Sequence, residues 1–156
     1  RIKGVKIRSI RTDIFREYKF PTFGDEKFVA EGIVWNKISE KYKFRYVNEP
    51  FAVVYYQAEG LSARSTLVRA LNPNGARQYY YQFITETCRR KEILKRYILR
   101  GTINYIRFSF HARIKLSKQI HEAPSLFMFL LSLPIGIILW ARDNFVLINA
   151  RSKAVK

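Results

Sequence analysis

The stretch Phe28-Val-Ala-Glu-Gly-Ile-Val-Trp-Asn-Lys-Ile38 is the one around which the rest of the chain is organised. Its apolar residues recur at spacings of three and four positions, which predicts a helix over about residues 29–41 with one apolar face. Glu31 falls in the first turn, where the helix dipole favours a negative charge. Trp35 projects from the same side four residues later. The pair is either a proton acceptor beside a ring that covers a sugar face, or a helix-start residue beside a core tryptophan.

The composition implies a folded, strongly basic protein. The 156 residues include 29 Lys and Arg against 12 Asp and Glu, which gives a net charge of +17. Such a charge indicates an anionic partner: a nucleic acid, a phosphorylated small molecule or an anionic membrane surface. The net charge is +5 over residues 1–64, +10 over 65–120 and +2 over 121–156, so the strongest basic field follows the focal helix. Cys88 is the single cysteine, which excludes an intrachain disulfide.

The first part of the chain predicts short strands around the focal helix. Apolar and basic residues alternate over Lys3–Ile10, and Phe44–Asn48 and Phe51–Gln57 are rich in aromatic and β-branched residues. A loop marked by Pro and Gly delivers Asp25 and Glu26 just upstream of the helix.

From residue 65 onward the pattern predicts helices. The turn Asn72-Pro-Asn-Gly75 precedes a helix expected over Gly75–Arg89, with the proline suited to its first position. A second helix is expected over Arg90–Arg100, broken by Gly101. Thr102–Ile120 fits both a strand alternation and a helical stripe, and we expect a helix because so long an unbroken strand is unusual.

An uncharged stretch runs from Ala123 to Ala141, a length of 19 positions. A membrane-spanning helix needs roughly 20 predominantly apolar residues, but Pro134 and Gly136 interrupt this stretch. Three interpretations are open: a single span, a helical hairpin or interfacial helix in the headgroup region, and a buried core helix.

A basic group precedes this stretch and consists of Arg89, Arg90, Lys91, Lys95 and Arg96. Each Lys or Arg near an anionic membrane surface adds about 1 kcal/mol of attraction. The group therefore either binds anionic headgroups or a polyprenyl-phosphate carrier, or it forms a solvated helix face. We favour the lipid interpretation because the uncharged stretch follows closely, and we expect a cytoplasmic protein held on the inner face of the cell membrane.

Several motifs occur in an order that resembles a known family. The segment Tyr18–Ile38 is followed by Tyr46-Val-Asn-Glu-Pro50, by Val54-Tyr-Tyr-Gln-Ala-Glu-Gly-Leu-Ser62, and by Asn72–Gly75 before an aromatic-rich helix. Together these motifs look like the late part of bacterial family-2 glycosyltransferases, the inverting enzymes that build surface polysaccharides. The resemblance covers about residues 1–85 and is weak beyond them.

The resemblance implies an α+β fold, namely the second half of a GT-A-like domain with few strands, one focal helix and a helical C-terminal extension. It divides the chain into an acceptor-side part over residues 1–64, a basic helical extension over 65–120, and an apolar membrane-associated segment with a basic tail over 121–156.

The resemblance also implies transfer of a sugar from a nucleotide-sugar donor to a polysaccharide or lipid-linked acceptor. In such enzymes an acidic residue at the start of the focal helix is the general base on the acceptor hydroxyl. Glu31 matches it, although the family usually has Glu-Asp where this chain has Glu31-Gly32. Asp25 and Glu26 either help to orient the acceptor or form an exposed acidic turn. Trp35 is expected beside the acceptor if it covers a sugar face.

Further residues follow from the same resemblance. Gln57 stands where many relatives have a histidine that binds metal or diphosphate. Ser62 and Arg64 lie on a loop that the resemblance places near the donor diphosphate, where a guanidinium can bind phosphate oxygens bidentately.

The family's metal-binding motif does not occur here. Relatives begin with a nucleotide-binding half that ends in Asp-x-Asp, which holds a divalent metal on the diphosphate, whereas the only aspartates here are Asp13, Asp25 and Asp143. A Mg or Mn ion is therefore expected for the full enzyme, with no metal ligand in this chain. Little or no transfer is expected from this chain alone.

Two other functions are open. The charge and the aromatic residues would suit a module that stacks on single-stranded nucleic acid, but no nucleic-acid recognition motif occurs, so no nucleic acid is expected. The chain could also be a non-catalytic membrane-bound subunit that docks onto a separate donor-binding chain.

Overall fold

A computed structural model describes residues 7–50, 52–55, 57, 60, 64–89 and 95–154. In these ranges the chain forms seven helices: α1 (Thr12–Glu17), α2 (Gly32–Lys41), α3 (Ser65–Leu71), α4 (Pro73–Arg89), α5 (Lys95–His111), α6 (Leu116–Glu122) and α7 (Leu126–Ala154).

The α+β, GT-A-like fold expected from the resemblance is wrong for the described residues, which are all-helical, with 67% helix and no strand. The described parts of the three expected strands at Lys3–Ile10, Phe44–Asn48 and Phe51–Gln57 are irregular. Most of their aromatic and β-branched side chains are exposed; Tyr55, for example, is 86% exposed. A strand needs a paired neighbour and a covered face, and the described chain supplies neither at these positions.

Helices α4 and α5 form an antiparallel hairpin. The rings of Tyr81 and Tyr105 are 6.1 Å apart, while Gly101 meets the α4 side chains one turn further along. A Cβ at Gly101 would lie 2.7 Å from Ile84 Cγ2, so the absence of a side chain is what allows the two helices to approach. Gly101 was expected to break a helix, and this prediction is wrong because α5 continues through it.

Helix α7 packs against α5 of this hairpin. A Cβ at Gly136 would lie 2.7 Å from Ile106 Cγ2 and 3.2 Å from the backbone oxygen of Ile103. The shared core consists of the fully buried Ile84, Tyr105, Ile106 and Phe129. Pro134 lies inside α7 without ending it, so the expected interruption there is also wrong.

The other helix boundaries differ from the predicted ones by a few residues. The focal helix begins at Gly32, so Glu31 is its N-cap residue, and its face of Ile33, Val34 and Ile38 is buried as predicted. The proline of the Asn72–Gly75 turn is the first residue of α4, as predicted. Thr102–Ile120 is helical but divided, because α5 ends at His111 and α6 starts at Leu116.

Candidate functional site

Glu31 presents its carboxylate to solvent at the start of α2. Its backbone carbonyl accepts hydrogen bonds from the amides of Val34 and Trp35 at 3.1 and 3.2 Å, which fixes the first turn. Its side chain is exposed and has no hydrogen-bond partner among the described residues. A solvated carboxylate at this place is free to accept a proton from a bound hydroxyl.

Tyr79 of α4 packs against the residue next to Glu31. A Cβ at Gly32 would lie 2.3 Å from Tyr79 Cε2, so no larger residue fits there unless the ring moves. This contact gives a physical reason for glycine, and not a larger residue, after Glu31. Sequence reasoning did not connect Tyr79 with the focal helix, and the only signal was an aromatic run that is typical of helix packing.

Trp35 is half-buried in an aromatic cluster. Its ring lies 6.3 Å from that of Phe15 and 6.0 Å from that of Phe44, and the guanidinium of Arg8 lies 5.7 Å from its centroid. These contacts hold α1 and the chain after α2 against the focal helix. The contact of Trp35 with a sugar stays a prediction, and it would compete with these protein contacts.

Glu26 caps helix α4. Its Oε1 accepts hydrogen bonds from the backbone and side-chain nitrogens of Asn74 at 2.7 and 2.8 Å, and its Oε2 accepts one from the Gly75 amide at 2.8 Å. These amides are otherwise unpaired at a helix N-terminus, which favours a carboxylate.

Asn72 makes the reverse connection. Its Oδ1 accepts hydrogen bonds from the amides of Lys27 and Phe28 at 2.7 and 3.1 Å. The side chains of Glu26 and Asn72 thus join the loop before α2 to the start of α4. We call the hydrogen bonds of these two side chains the α2–α4 tie. Asp25, the neighbour of Glu26, is exposed.

Within the described ranges, none of the other expected substrate-binding residues forms a side-chain hydrogen bond or ion pair with Glu31. Gln57 and Arg64 are both exposed, with Arg64 as the N-cap of α3. Ser62 lies outside the described residues. Their roles near a donor diphosphate stay predictions.

The expected basic group is only partly described. Lys95 and Arg96 are exposed in the first turn of α5, and the Arg96 guanidinium lies 5.1 Å from the centroid of the Tyr97 ring. Arg90, Lys91 and the side chain of Arg89 lie outside the described residues.

A buried ion pair joins α5 to α7, and sequence reasoning missed it. Arg107 donates from Nε to Asp143 Oδ2 at 2.5 Å and from its terminal nitrogen to Oδ1 at 2.7 Å. A second terminal nitrogen donates to Asn104 Oδ1 at 3.3 Å. The side chains of Arg107 and Asp143 are only 8% and 3% exposed. Buried charges require such pairing, so the pair fixes how α7 lies on α5.

His111 completes this buried polar cluster. Its Nε2 lies 3.2 Å from Asp143 Oδ2. Burial lowers the pKa of His111 from 6.5, although the hydrogen bond to Asp143 opposes the shift. The neutral ring therefore donates its Nε2 proton to the carboxylate.

A second polar cluster lies where α4, α5 and α6 meet. The Tyr105 hydroxyl donates to Glu122 Oε2 at 2.8 Å, and the Arg77 guanidinium donates to the same oxygen. Burial and the bond to Glu122 raise the pKa of Tyr105 to about 12. The ion pairs of both clusters join neighbouring helices.

Comparison with known proteins adds no identification: no family model, no curated protein and no solved structure matches the chain. The described residues contain no group of three or more His, Cys, Asp and Glu that could hold a metal ion. Residues Leu126–Asn149 of α7 are long and apolar enough to cross a membrane by length and composition, and 22% of the most apolar window is buried within the protein.

Proposed function

We propose that this chain is the acceptor-side, membrane-bound part of an inverting glycosyltransferase similar to family 2. The ordered motifs between Tyr18 and Gly75 support this proposal. The observation that carries it is the exposed carboxylate of Glu31 at the start of the focal helix, which has no hydrogen-bond partner among the described residues.

In the proposed reaction Glu31 takes the proton of an acceptor hydroxyl. The hydroxyl oxygen forms a bond to the anomeric carbon while the bond from that carbon to the nucleoside diphosphate breaks, and the leaving phosphate oxygen keeps the electron pair. A sugar hydroxyl is a very weak acid, so its proton moves as the new bond forms. The divalent metal of the family would neutralise charge on the diphosphate. The described residues contain no group of three or more His, Cys, Asp and Glu that could hold it.

The proposed location is the inner face of the cell membrane. The exposed apolar side of α7 and the net charge of +17 support it. A polysaccharide or lipid-linked acceptor would then be met at the membrane surface, where Glu31 would act on it.

The test is Glu31→Gln in this chain combined with the donor-binding part that the proposal requires. The substitution keeps the side-chain shape and removes the basicity. We expect turnover to fall by about 10²–10⁴-fold, the usual contribution of a general base, with little change in acceptor affinity. Transfer of labelled sugar by membranes of expressing cells, measured over a panel of nucleotide sugars, provides the readout.

Glu40→Gln is the matched control, because Glu40 is an exposed glutamate on the same helix. Asp25→Asn tests the neighbouring exposed carboxylate, and both variants should keep parental turnover. Near-parental turnover by Glu31→Gln together with a collapse in Asp25→Asn would move the base into the preceding loop. The absence of transfer from every donor would reject the enzymatic proposal.

A further inference from the structure

Helix α7 has two different faces. Phe129, Ser132, Gly136 and Asp143 recur at spacings of three, four and seven residues and are buried against the rest of the protein. The opposite face is apolar and exposed, with side chains between 52% and 71% accessible; it consists of Phe127, Leu130, Leu131, Ile138, Phe145 and Ile148. We call these six residues the α7 apolar face. A contiguous exposed apolar surface of this kind marks an interaction site.

The inner side of α7 is unsuited to lipid. The buried residues from Phe129 to Asp143 are 14 positions apart, which is about 21 Å of helix. Along this length α7 lies on α5, which carries Arg107 and the exposed Arg100. A helix that crossed the bilayer would carry α5 with it, whereas a helix in the membrane plane immerses only its apolar face.

Basic residues directly precede α7. Arg113, Lys115 and Lys118 are exposed around α6, which also exposes the apolar Leu116 and Ile120. This alternation of cationic and apolar side chains is typical of segments at a membrane interface.

Helix α5 ends in a left-handed turn at Arg113. The Arg113 φ of 56° is left-handed, a conformation that favours glycine at the end of a helix. The amide of Ile114 donates to the Ser109 carbonyl at 2.9 Å, and the amide of Arg113 donates to the Phe110 carbonyl at 3.0 Å, which closes α5. This turn leaves the exposed Arg113 at the head of the basic segment that precedes α7.

We infer that α7 lies in the plane of an anionic membrane, with the α7 apolar face immersed and Arg113, Lys115 and Lys118 on the headgroups. The occupant of the surface is a lipid bilayer, because the cations complement anionic headgroups and the apolar face complements acyl chains. This inference deepens the membrane location proposed above and is independent of sugar transfer.

The first experiment measures binding of the full chain to vesicles of phosphatidylcholine with 30% phosphatidylserine by flotation. Leu131→Gln should weaken binding by about ten-fold or more, the value of a buried leucine side chain. Leu71→Gln is the matched control, because Leu71 on α3 and Leu131 are both 52% exposed. Lys115→Gln with Lys118→Gln should weaken binding about 25-fold, since each cation near the surface contributes about five-fold. Equal loss from the Leu71 and Leu131 variants, or parental binding by all of them, overturns the inference.

The second experiment separates a helix in the plane from a spanning helix. Cys88 is replaced by serine, and single cysteines are introduced as Ser117→Cys before α7 and Asn149→Cys near its end. In sealed vesicles a membrane-impermeant maleimide added outside should modify both positions. Modification at one end alone indicates a span, which rejects the in-plane arrangement but leaves the proposed membrane location standing.

A second copy of the chain is the remaining occupant to test. We expect light scattering to show a monomer before vesicles are added. A dimer that Leu131→Gln dissociates, with vesicle binding unchanged, would assign the α7 apolar face to self-association and overturn the inference. Transfer activity of Glu31→Gln is measured separately, so each proposal can fail alone.

Discussion

Removal of the Asp143 charge should destabilise the protein more than any substitution on its surface. Asp143→Asn keeps the side-chain shape but leaves the Arg107 guanidinium, whose side chain is 8% exposed, without a negative partner. Breaking a buried ion pair by removal of one charge costs about 3–5 kcal/mol. For a domain of this size we expect the melting temperature to fall by about 6–20 °C. Circular dichroism at 222 nm during heating measures it.

Two controls separate the charge from the packing. Arg142 also contacts Asp143, at 3.3 Å, but its side chain is 56% exposed; Arg142→Gln should therefore change stability by less than about 1 kcal/mol. The double variant Arg107→Met with Asp143→Leu replaces the pair with apolar groups and should recover most of the lost stability. The reasoning is refuted if Asp143→Asn melts within the range of Arg142→Gln, or if the double variant melts no higher than the single one.

Three further outcomes are expected. Glu26→Gln removes a charged cap from α4 and should cost about 1–2 kcal/mol in chemical denaturation, whereas Asp25→Asn, at an exposed site, should stay within about 0.5 kcal/mol of the parent. Gly136→Ala gains up to about 1 kcal/mol in helix propensity, but the added methyl group pushes α7 away from α5, which costs about 1–3 kcal/mol. A net loss of stability is therefore expected, and a net gain would contradict the close packing of the two helices. Because burial lowers the pKa of His111 from 6.5, the unfolded chain binds a proton that the folded chain does not; this contribution to stability is complete above pH 6.5 and is lost as the pH falls below it. His111→Gln should flatten the melting temperature between pH 7.5 and 5.5, and an unchanged slope would exclude this histidine as the source.

The helical part of the fold follows from local patterns. The apolar spacing in the focal stretch identifies α2 and its buried face, and the Asn72–Gly75 turn identifies the start of α4. These features depend on residues a few positions apart, which a sequence pattern registers directly. The prediction of strands is wrong because suitable composition is not enough: a strand also depends on a partner elsewhere in the chain.

The features missed at the candidate site are contacts between distant residues. Tyr79 meets Gly32 across 47 positions, and Arg107 pairs with Asp143 across 36. The sequence alone shows no relation between Arg107, in a segment that fits both a strand and a helix, and Asp143, just after the uncharged stretch. Glycine is a poor helix former, so Gly101 and Gly136 suggest interruptions in the sequence. In the structure each lies inside a helix, at a point where a neighbouring helix packs closely against it.

The α2–α4 tie has a consequence for the chain between its two ends. Hydrogen bonds join Glu26 to Asn74 and Lys27 to Asn72, so the intervening residues form a loop that is closed without a covalent cross-link. The entropy of closing a loop grows only with the logarithm of its length, and each doubling costs about 0.6 kcal/mol. Insertions among the exposed residues after Lys43 should therefore be inexpensive. A protease cut at Arg45 should leave two fragments that remain associated and migrate as one folded species, so this part of the chain can be lengthened, cut or exchanged while the helices on either side keep their places.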